Sequence, residues 1–251
     1  MIEINKIYNE DCLEGMKRID DKSIDMILCD LPYGTTACSW DSVIPFDVLW
    51  EQYNRIIKDN GAIVLTAIEP FTSKLLLSNI NHYRHKWVWN KNNSAGFATA
   101  KIRPFQICED ILVFSKNKVN YYPIMEQRGK IRDKSGYSKS DNYKLIPSKT
   151  KEKNNIYYPK NLLNISNASQ KNKIHPTQKP VELFEYLIKT YTNEGETVLD
   201  NCMGSGTTAI ACINTGRNYI GFENDNTYFE KANERIESIK ISNCNGINVI
   251  E

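Results

Sequence analysis

Val198-Leu199-Asp200-Asn201-Cys202-Met203-Gly204-Ser205-Gly206-Thr207-Thr208-Ala209 carries a short apolar segment into a glycine turn and then into residues suited to a helix. Glycines there let the backbone come close to a ligand, and the free amides that open the helix favour an acidic group. A plain strand-to-helix turn is the simpler reading of Gly-x-Gly alone. The stretch lacks the Gly-Lys-Ser/Thr ending of a phosphate loop and the third glycine of a complete dinucleotide fingerprint. Further on, Glu223 ends the apolar segment Tyr219-Ile220-Gly221-Phe222. A doubly wound fold places a carboxylate at that point to accept hydrogen bonds from ribose hydroxyls. Together the two features predict an α/β sheet with a nucleoside-type cofactor.

On either side, short apolar runs alternate with amphipathic stretches, the pattern of strand-helix units around a mostly parallel sheet. Strands are expected at Ser23–Cys29, Ala62–Ala67, Lys86–Trp89, Ile111–Phe114, Thr197–Leu199 and Asn218–Phe222. Phe46, Leu49, Tyr53 and Ile56 recur at helical spacing, with Asn60-Gly61 as the expected stop. Val181, Phe184, Leu187 and Tyr191 do the same after Pro180, which suits a first helical turn. Tyr228, Ala232, Ile236 and Ile239 mark one more helix. These stripes are read as core.

The 251 residues suffice for one large α/β domain carrying an insert. No segment approaches membrane-spanning length, and the start does not read as a signal peptide. The seven cysteines are scattered without a Cys-x-x-Cys pair, so neither a zinc cage nor a disulfide framework is expected, no metal site is assigned, and a reducing cytoplasm is the simplest setting. The net charge of +2 conceals an asymmetry: 15 of the 32 Lys/Arg but only 4 of the 30 acidic residues fall between Lys116 and Lys179. Such a segment is either a solvated surface or a footprint for a polyanion. Tyr121, Tyr122, Tyr137, Tyr143, Tyr157 and Tyr158 interleave with the lysines and favour nucleic acid. Periodicity fails from about Asn117 to Lys173, which reads as a loop-rich insert.

Upstream, Asp25-Met26-Ile27-Leu28-Cys29-Asp30-Leu31-Pro32-Tyr33-Gly34 delivers an acid, a proline and an aromatic to the carboxyl end of a buried-looking strand, where ligands bind in an open α/β sheet. A strand followed by a proline turn is the alternative for the tetrapeptide in isolation. With these residues, the chain resembles the β group of DNA amino-methyltransferases. In that group a catalytic Asp-Pro-Pro-Tyr motif precedes the target-recognition region and the glycine-rich cofactor motif comes last. The likeness also takes in Asn9-Glu10-Asp11-Cys12-Leu13, Glu109 to Phe114, His175-Pro176-Thr177-Gln178-Lys179-Pro180, and Gly221-Phe222-Glu223. Leu31 stands where the family usually has its first proline, and Asn201-Cys202 replaces a common Pro-Phe.

The resemblance implies a Rossmann-like S-adenosylmethionine-dependent methyltransferase sheet with circularly permuted motif order. The amino-terminal and carboxyl-terminal halves then share one sheet, with Asp11 following one strand and Glu223 ending the next. The implied domains are a catalytic half over 1–116, a basic target-recognition insert over 117–173, a cofactor-binding half over 174–240, and a tail over 241–251. Asp30, Leu31, Pro32 and Tyr33 form the implied catalytic loop. An adenine amine is a poor nucleophile because its lone pair is delocalised. Asp30 and the Leu31 carbonyl would accept its hydrogens, Tyr33 would stack on the flipped base, and Pro32 would stiffen the turn.

The implied cofactor set is Asp11, Asp30, Thr177, Lys179, Asp200, Gly204, Ser205, Gly206, Thr207 and Glu223. Asp200 and the glycines border the methionine end, Glu223 the ribose and Asp11 the adenine, while Thr177 and Lys179 close the methionine pocket. Asp11 has a second reading, as the cap of a helix starting near Leu13. His175 is read as structural. Trp40, Asp41, Trp89 and Lys91 are candidates for the base pocket, with core packing as the alternative for the tryptophans. Lys130, Arg132, Lys134, Lys139, Lys144, Lys149, Lys151 and Lys153 are the expected DNA contacts.

The expected reaction is N6-adenine methylation of double-stranded DNA in the cytoplasm, at the nucleoid. Homodimerisation and a cognate restriction endonuclease stand as candidate partners. N4-cytosine methylation is the alternative; that group more often has Ser in place of Asp30. Two other readings are methylation of a protein glutamine and an inactive nucleic-acid-binding protein with this fold.

Overall fold

A computed structural model of the chain describes residues 2–34, 41–95, 100–133, 153–167 and 178–244. They divide into two compact units, one built from residues 1–122 with 161–251 and the other from 123–160. The larger unit begins with β1 (Lys6–Tyr8), α1 (Cys12–Met16), β2 (Ile24–Cys29), α2 (Phe46–Ile56), β3 (Ile57–Ala67), α3 (Phe71–Ser78), β4 (Tyr83–Ala95) and β5 (Gln106–Phe114). The smaller unit holds β6 (Glu126–Asp133) and β7 (Lys153–Tyr157). The chain then returns with β8 (Leu162–Asn164), α4 (Val181–Tyr191), β9 (Thr197–Asp200), α5 (Thr207–Thr215), β10 (Asn218–Phe222) and α6 (Asn226–Cys244). No helix among the described residues is long and apolar enough to cross a membrane.

Eight strands form one sheet in the order β1-β10-β9-β2-β3-β5-β4-β8. Among them β5 runs against its neighbours β3 and β4, and every other pairing is parallel. Every residue of β2 is buried, as a central parallel strand covered on both faces requires. Its side chains alternate between two cores. Met26 and Leu28 pack with Leu183, Leu187, Ile210 and Ile236 of α4, α5 and α6. Ile27 and Cys29 pack with Met16, Leu49, Tyr53 and Leu75 of α1, α2 and α3. The sheet is thus the middle of three layers.

The permuted order is realised by β1, which pairs with β10 through Lys6 opposite Ile220 and Tyr8 opposite Phe222. Adjacent parallel strands bring Asp11 and Glu223 to the same edge of the sheet.

Several elements depart from the expected boundaries. Asn60-Gly61 does not end α2: the chain turns extended at Ile57, and Gly61 lies inside β3. The register between β2 and β3 slips there, from Ile24 opposite Ile57 to Met26 opposite Ala62. A Cβ on Gly61 would stand 2.8 Å from the Asp25 carbonyl oxygen, so glycine serves close strand approach at a bulge and not a helix cap. Pro180 is the residue before the first turn of α4 and not within it. α6 runs through Cys244, into the stretch 241–251 expected as a tail, because no glycine or proline interrupts the sequence before Gly246.

The stretch read as a loop-rich insert contains regular structure at both levels. Leu162–Asn164 joins the main sheet beside β4, with Leu163 and Ile165 buried and the Trp89 indole donating to the Ile165 carbonyl (2.9 Å). Three residues of alternation are too few to register as a period. Within the smaller unit β6 and β7 form an antiparallel ribbon whose register slips between Gln127 and Arg132. Gly129 sits in that slip at φ +58, and the Asn155 amide donates to its carbonyl (3.1 Å).

Candidate active site

Strand order decides which acids meet. β1, β10, β9 and β2 are parallel neighbours, so their carboxyl ends share one edge, and Asp11, Glu223, Asp200 and Asp30 line up there in that spatial order. All four border one cavity of about 640 Å³, together with the glycine turn, Trp89, Lys91, Glu109 and Lys179.

Asp30 follows the last residue of β2. Its Oδ1 accepts from the Tyr33 hydroxyl (2.7 Å) and from the Thr66 hydroxyl at the end of β3. Its Oδ2 accepts from the Lys179 ammonium at 2.5 Å. Lys179 also lies 3.6 Å from Glu109 Oε2, and Glu109 Oε1 takes the Lys91 ammonium at 3.1 Å. The result is a row of alternating charges, Asp30, Lys179, Glu109 and Lys91, with the last three largely buried. Burial by itself would lower the Lys179 ammonium. The Asp30 and Glu109 carboxylates outweigh that effect and hold it above the ordinary lysine range. Burial, and then the Asp30 charge, raise the Tyr33 phenol, so it stays a hydrogen-bond donor. Leu31 is buried in the core on the α1–α3 side, which accounts for an apolar residue at this place in the loop. One face of Tyr33 is occupied by Phe71, with ring centroids 5.0 Å apart.

In the glycine turn, Gly204 and Gly206 have φ of +54 and +79, a region that side-chain-bearing residues avoid. Glu223 closes the turn: its Oε2 accepts from the Gly204 amide (2.7 Å) and its Oε1 from the Asp225 amide (2.9 Å). Asp200 accepts from the Cys202 amide (3.0 Å) and the Thr208 hydroxyl. Burial pushes its carboxyl up to about 6, and burial raises Glu223 too. The Ser205 and Thr207 hydroxyls are 3.2 Å apart and both buried, and Thr207 also donates to the Lys179 carbonyl (3.3 Å). Lys179 therefore touches the glycine turn through its backbone and the Asp30–Tyr33 loop through its side chain.

Asp11 caps α1, accepting from the Leu13 amide (2.8 Å) and the Glu14 amide (3.3 Å), while remaining exposed at the cavity wall. Asn201 is a buried linker: its Oδ1 accepts from the Tyr53 hydroxyl (2.5 Å) and its amide faces the Cys12 and Cys202 sulfurs at 3.6 and 3.5 Å. Trp89 belongs to the core and Lys91 to the charge row, while Asp41 accepts from the Gly34 amide (2.8 Å). Trp40, His175 and Thr177 lie outside the described residues, as do Lys134, Lys139, Lys144, Lys149 and Lys151. Lys130 and Lys153 are exposed on the ribbon strands, and Arg132 lies on β6.

Two residues of the site are given no role by the sequence reading. Thr66 is the sole hydroxyl in the apolar run Ile63-Val64-Leu65-Thr66-Ala67, and Glu109 with Asp110 precedes the buried run Ile111-Leu112-Val113-Phe114 of β5. A polar residue at the ligand-side end of a buried strand is the signal each one carries.

A family model described as DNA methylase, N6_N4_Mtase, matches residues 24–234. The type II methyltransferase M1.MboII of Moraxella bovis is 28% identical over 270 residues, covering 96% of this chain and 100% of that protein. M.HpaI of Haemophilus parainfluenzae, also a type II methyltransferase, is 29% identical over 248 residues, covering 93% of this chain and 74% of that one. Among solved structures, the M1.HpyAVI–SAM complex is 26% identical with a TM-score of 0.61, covering 92% of this chain and 98% of that chain. The cytosine-N4-specific PvuII DNA methyltransferase, 18% identical, shares the fold with a TM-score of 0.66 over 96% of this chain and 93% of its own. With the family match spanning most of the sequence, the chain belongs to the N6/N4 DNA methylase family.

Proposed function

We propose that this DNA methyltransferase acts on the N6 amine of adenine, flipped out of duplex DNA, with S-adenosylmethionine as methyl donor. The observation that carries the reading is Asp30, a carboxylate at the cavity wall whose Oδ1 is engaged by two hydroxyls and whose Oδ2 faces Lys179. A carboxylate accepts hydrogen bonds from an amine and takes up the proton that methylation releases from the nitrogen. Serine, which more often stands here in cytosine enzymes, is far less suited to the second task.

The residues present fit the donor. The cavity volume falls within the roughly 300–1,000 Å³ usual for cofactor sites. Left-handed glycines open its wall, and Glu223, Asp200 and Asp11 supply acceptors for hydroxyl and ammonium groups. Glu223 would face the ribose, Asp11 the adenine, and Asp200 with Gly204, Ser205, Gly206 and Thr207 the methionine end. When bound, the donor supplies a methyl group on a sulfonium. Asp30 and the Leu31 carbonyl orient the amine, Tyr33 provides an aromatic face for the base, and the buried charge row keeps Asp30 in place.

DNA is expected to meet Lys130, Arg132 and Lys153 of the ribbon and the lysines between them. The type II names of two relatives support a restriction-modification setting in the cytoplasm, with a cognate endonuclease as partner. Incubation with labelled S-adenosylmethionine and unmethylated DNA, followed by digestion to nucleosides, tests the base. N6-methyladenine is the expected product; N4-methylcytosine would replace the reading with its alternative, and label in protein or no transfer would overturn it.

A further inference from the structure

Lys179 stands between two carboxylates that it serves unequally. Its Nζ is 2.5 Å from Asp30 Oδ2 and 3.6 Å from Glu109 Oε2. Glu109 Oε2 is fully buried and has no hydrogen-bond partner among the described residues, whereas Oε1 of the same group holds Lys91. A buried carboxylate oxygen left short of a donor is costly, and such atoms call for an explanation in the working of the site.

Asp30 has the opposite problem. Thr66 and Tyr33 fill Oδ1, and the ammonium occupies Oδ2, the oxygen left for an incoming amine. An ammonium and a target amine crowd one oxygen there, and the cation opposes the positive charge that develops on the amine as it is methylated. A small movement of the lysine head towards Glu109 would resolve both conditions: Oε2 gains its donor and Oδ2 is released. The flexible four-carbon stem of lysine permits that movement, and the surrounding charges stay balanced throughout because no ion leaves the row.

We propose that Lys179 is a two-position counter-ion, held on Asp30 while the base pocket is empty and passed to Glu109 when the target amine takes its place on Oδ2. Glu109 touches no reacting atom; it is a positioning residue that acts through Lys179. The inference rests on the reading of Asp30 as the amine's acceptor. It adds a reason for two carboxylates and two ammoniums to be set in one row where one carboxylate would serve as acceptor.

The test is a double-variant cycle on the full chain with unmethylated plasmid DNA and labelled S-adenosylmethionine. Glu109→Gln removes the charge that receives Lys179, so methyl transfer in a single turnover should fall about 10- to 100-fold, while binding of DNA and of S-adenosylmethionine changes less than about threefold. Adding Lys179→Met should recover part of the lost rate, since no ammonium then has to be moved aside. A double variant as slow as Glu109→Gln or slower would overturn the proposal. Independently of how the variants fold, a crystal structure of the wild-type protein with a duplex carrying the unmodified target site should place Lys179 within hydrogen-bond distance of Glu109. Lys179 still bonded to Asp30 beside a bound amine would overturn it as well. Absence of any transfer by the wild type would instead strike at the proposed function itself.

Discussion

Lys179 Nζ and Asp30 Oδ2 lie 2.5 Å apart, joining the loop after β2 to the chain that leads into α4 across 149 residues of sequence. The same lysine's carbonyl accepts from Thr207, beside the glycine turn. One residue thus couples the Asp30–Tyr33 loop, proposed to receive the base, to the glycine turn, proposed to receive the methyl donor, and disturbance of either should be read at the other.

Asp30→Ala should lower methyl transfer by at least about 100-fold, the scale of a lost positioned acceptor. Calorimetric affinity for S-adenosylmethionine should change little, because the glycine turn, Asp200 and Glu223 remain. Full activity in the variant would remove Asp30 from the mechanism.

Thr66→Val keeps the volume and burial of β3 but deletes a hydroxyl that donates to Asp30. A hydrogen bond to a charged group is worth roughly 1.5–3 kcal/mol, so kcat should fall about 10-fold or more with KM for DNA nearly unchanged. Thr66→Ser should restore most of the rate. Equal rates for wild type and Thr66→Val would mean that Tyr33 and Lys179 suffice to orient the carboxylate.

Asp200 gives stability a pH dependence of definite sign. Its native carboxyl is raised by burial from 3.8 to about 6, so between those values the folded protein keeps a proton that the unfolded chain has lost. Stability from this group is therefore present below the unfolded value and falls as pH rises towards about 6, after which it is level. The change is on the order of 2–3 kcal/mol. Urea unfolding at pH 4.5 and 7 (about one window's span) should show the component in the wild type and its loss in Asp200→Asn; identical pH profiles would contradict it.

Gly206→Ala forces a side chain onto a residue at φ +79 and sets its Cβ 3.3 Å from that of Ala232 on α6. Gly204→Ala meets only the Cys202 carbonyl oxygen at 3.9 Å, so backbone strain acts alone. Both should lose stability, the first by roughly 1–3 kcal/mol and by more than the second. Denaturant midpoints compare them, and the reverse order would show that helix packing does not limit Gly206.

On the ribbon, Lys130→Gln with Lys153→Gln should weaken DNA binding and reduce the slope of log K against log salt by about 2, one for each phosphate no longer neutralised. Fluorescence anisotropy across a salt series measures this. An unchanged slope would make the exposed ribbon a solvated surface.

Much of this protein is legible in the residues themselves. Apolar runs such as Asp25 to Cys29 and Asn218 to Phe222 announce buried strands, Gly204 and Gly206 announce a tight turn into a helix, and the lysine-rich middle announces a segment of separate character. These signals are local: periodicity, backbone freedom and charge density depend on near neighbours in sequence. β8 escaped because three residues carry no period, and Asn60-Gly61 misled because a bulge and a helix stop use the same residues. The permuted motif order already sets Asp11 beside Glu223; tertiary structure alone decided that Asp200 and then Asp30 follow them along the sheet edge. It alone set Lys179 between Asp30 and Glu109, since a buried charge selects its partner by the low-dielectric space the folded sheet leaves it, and that space is a product of long-range packing.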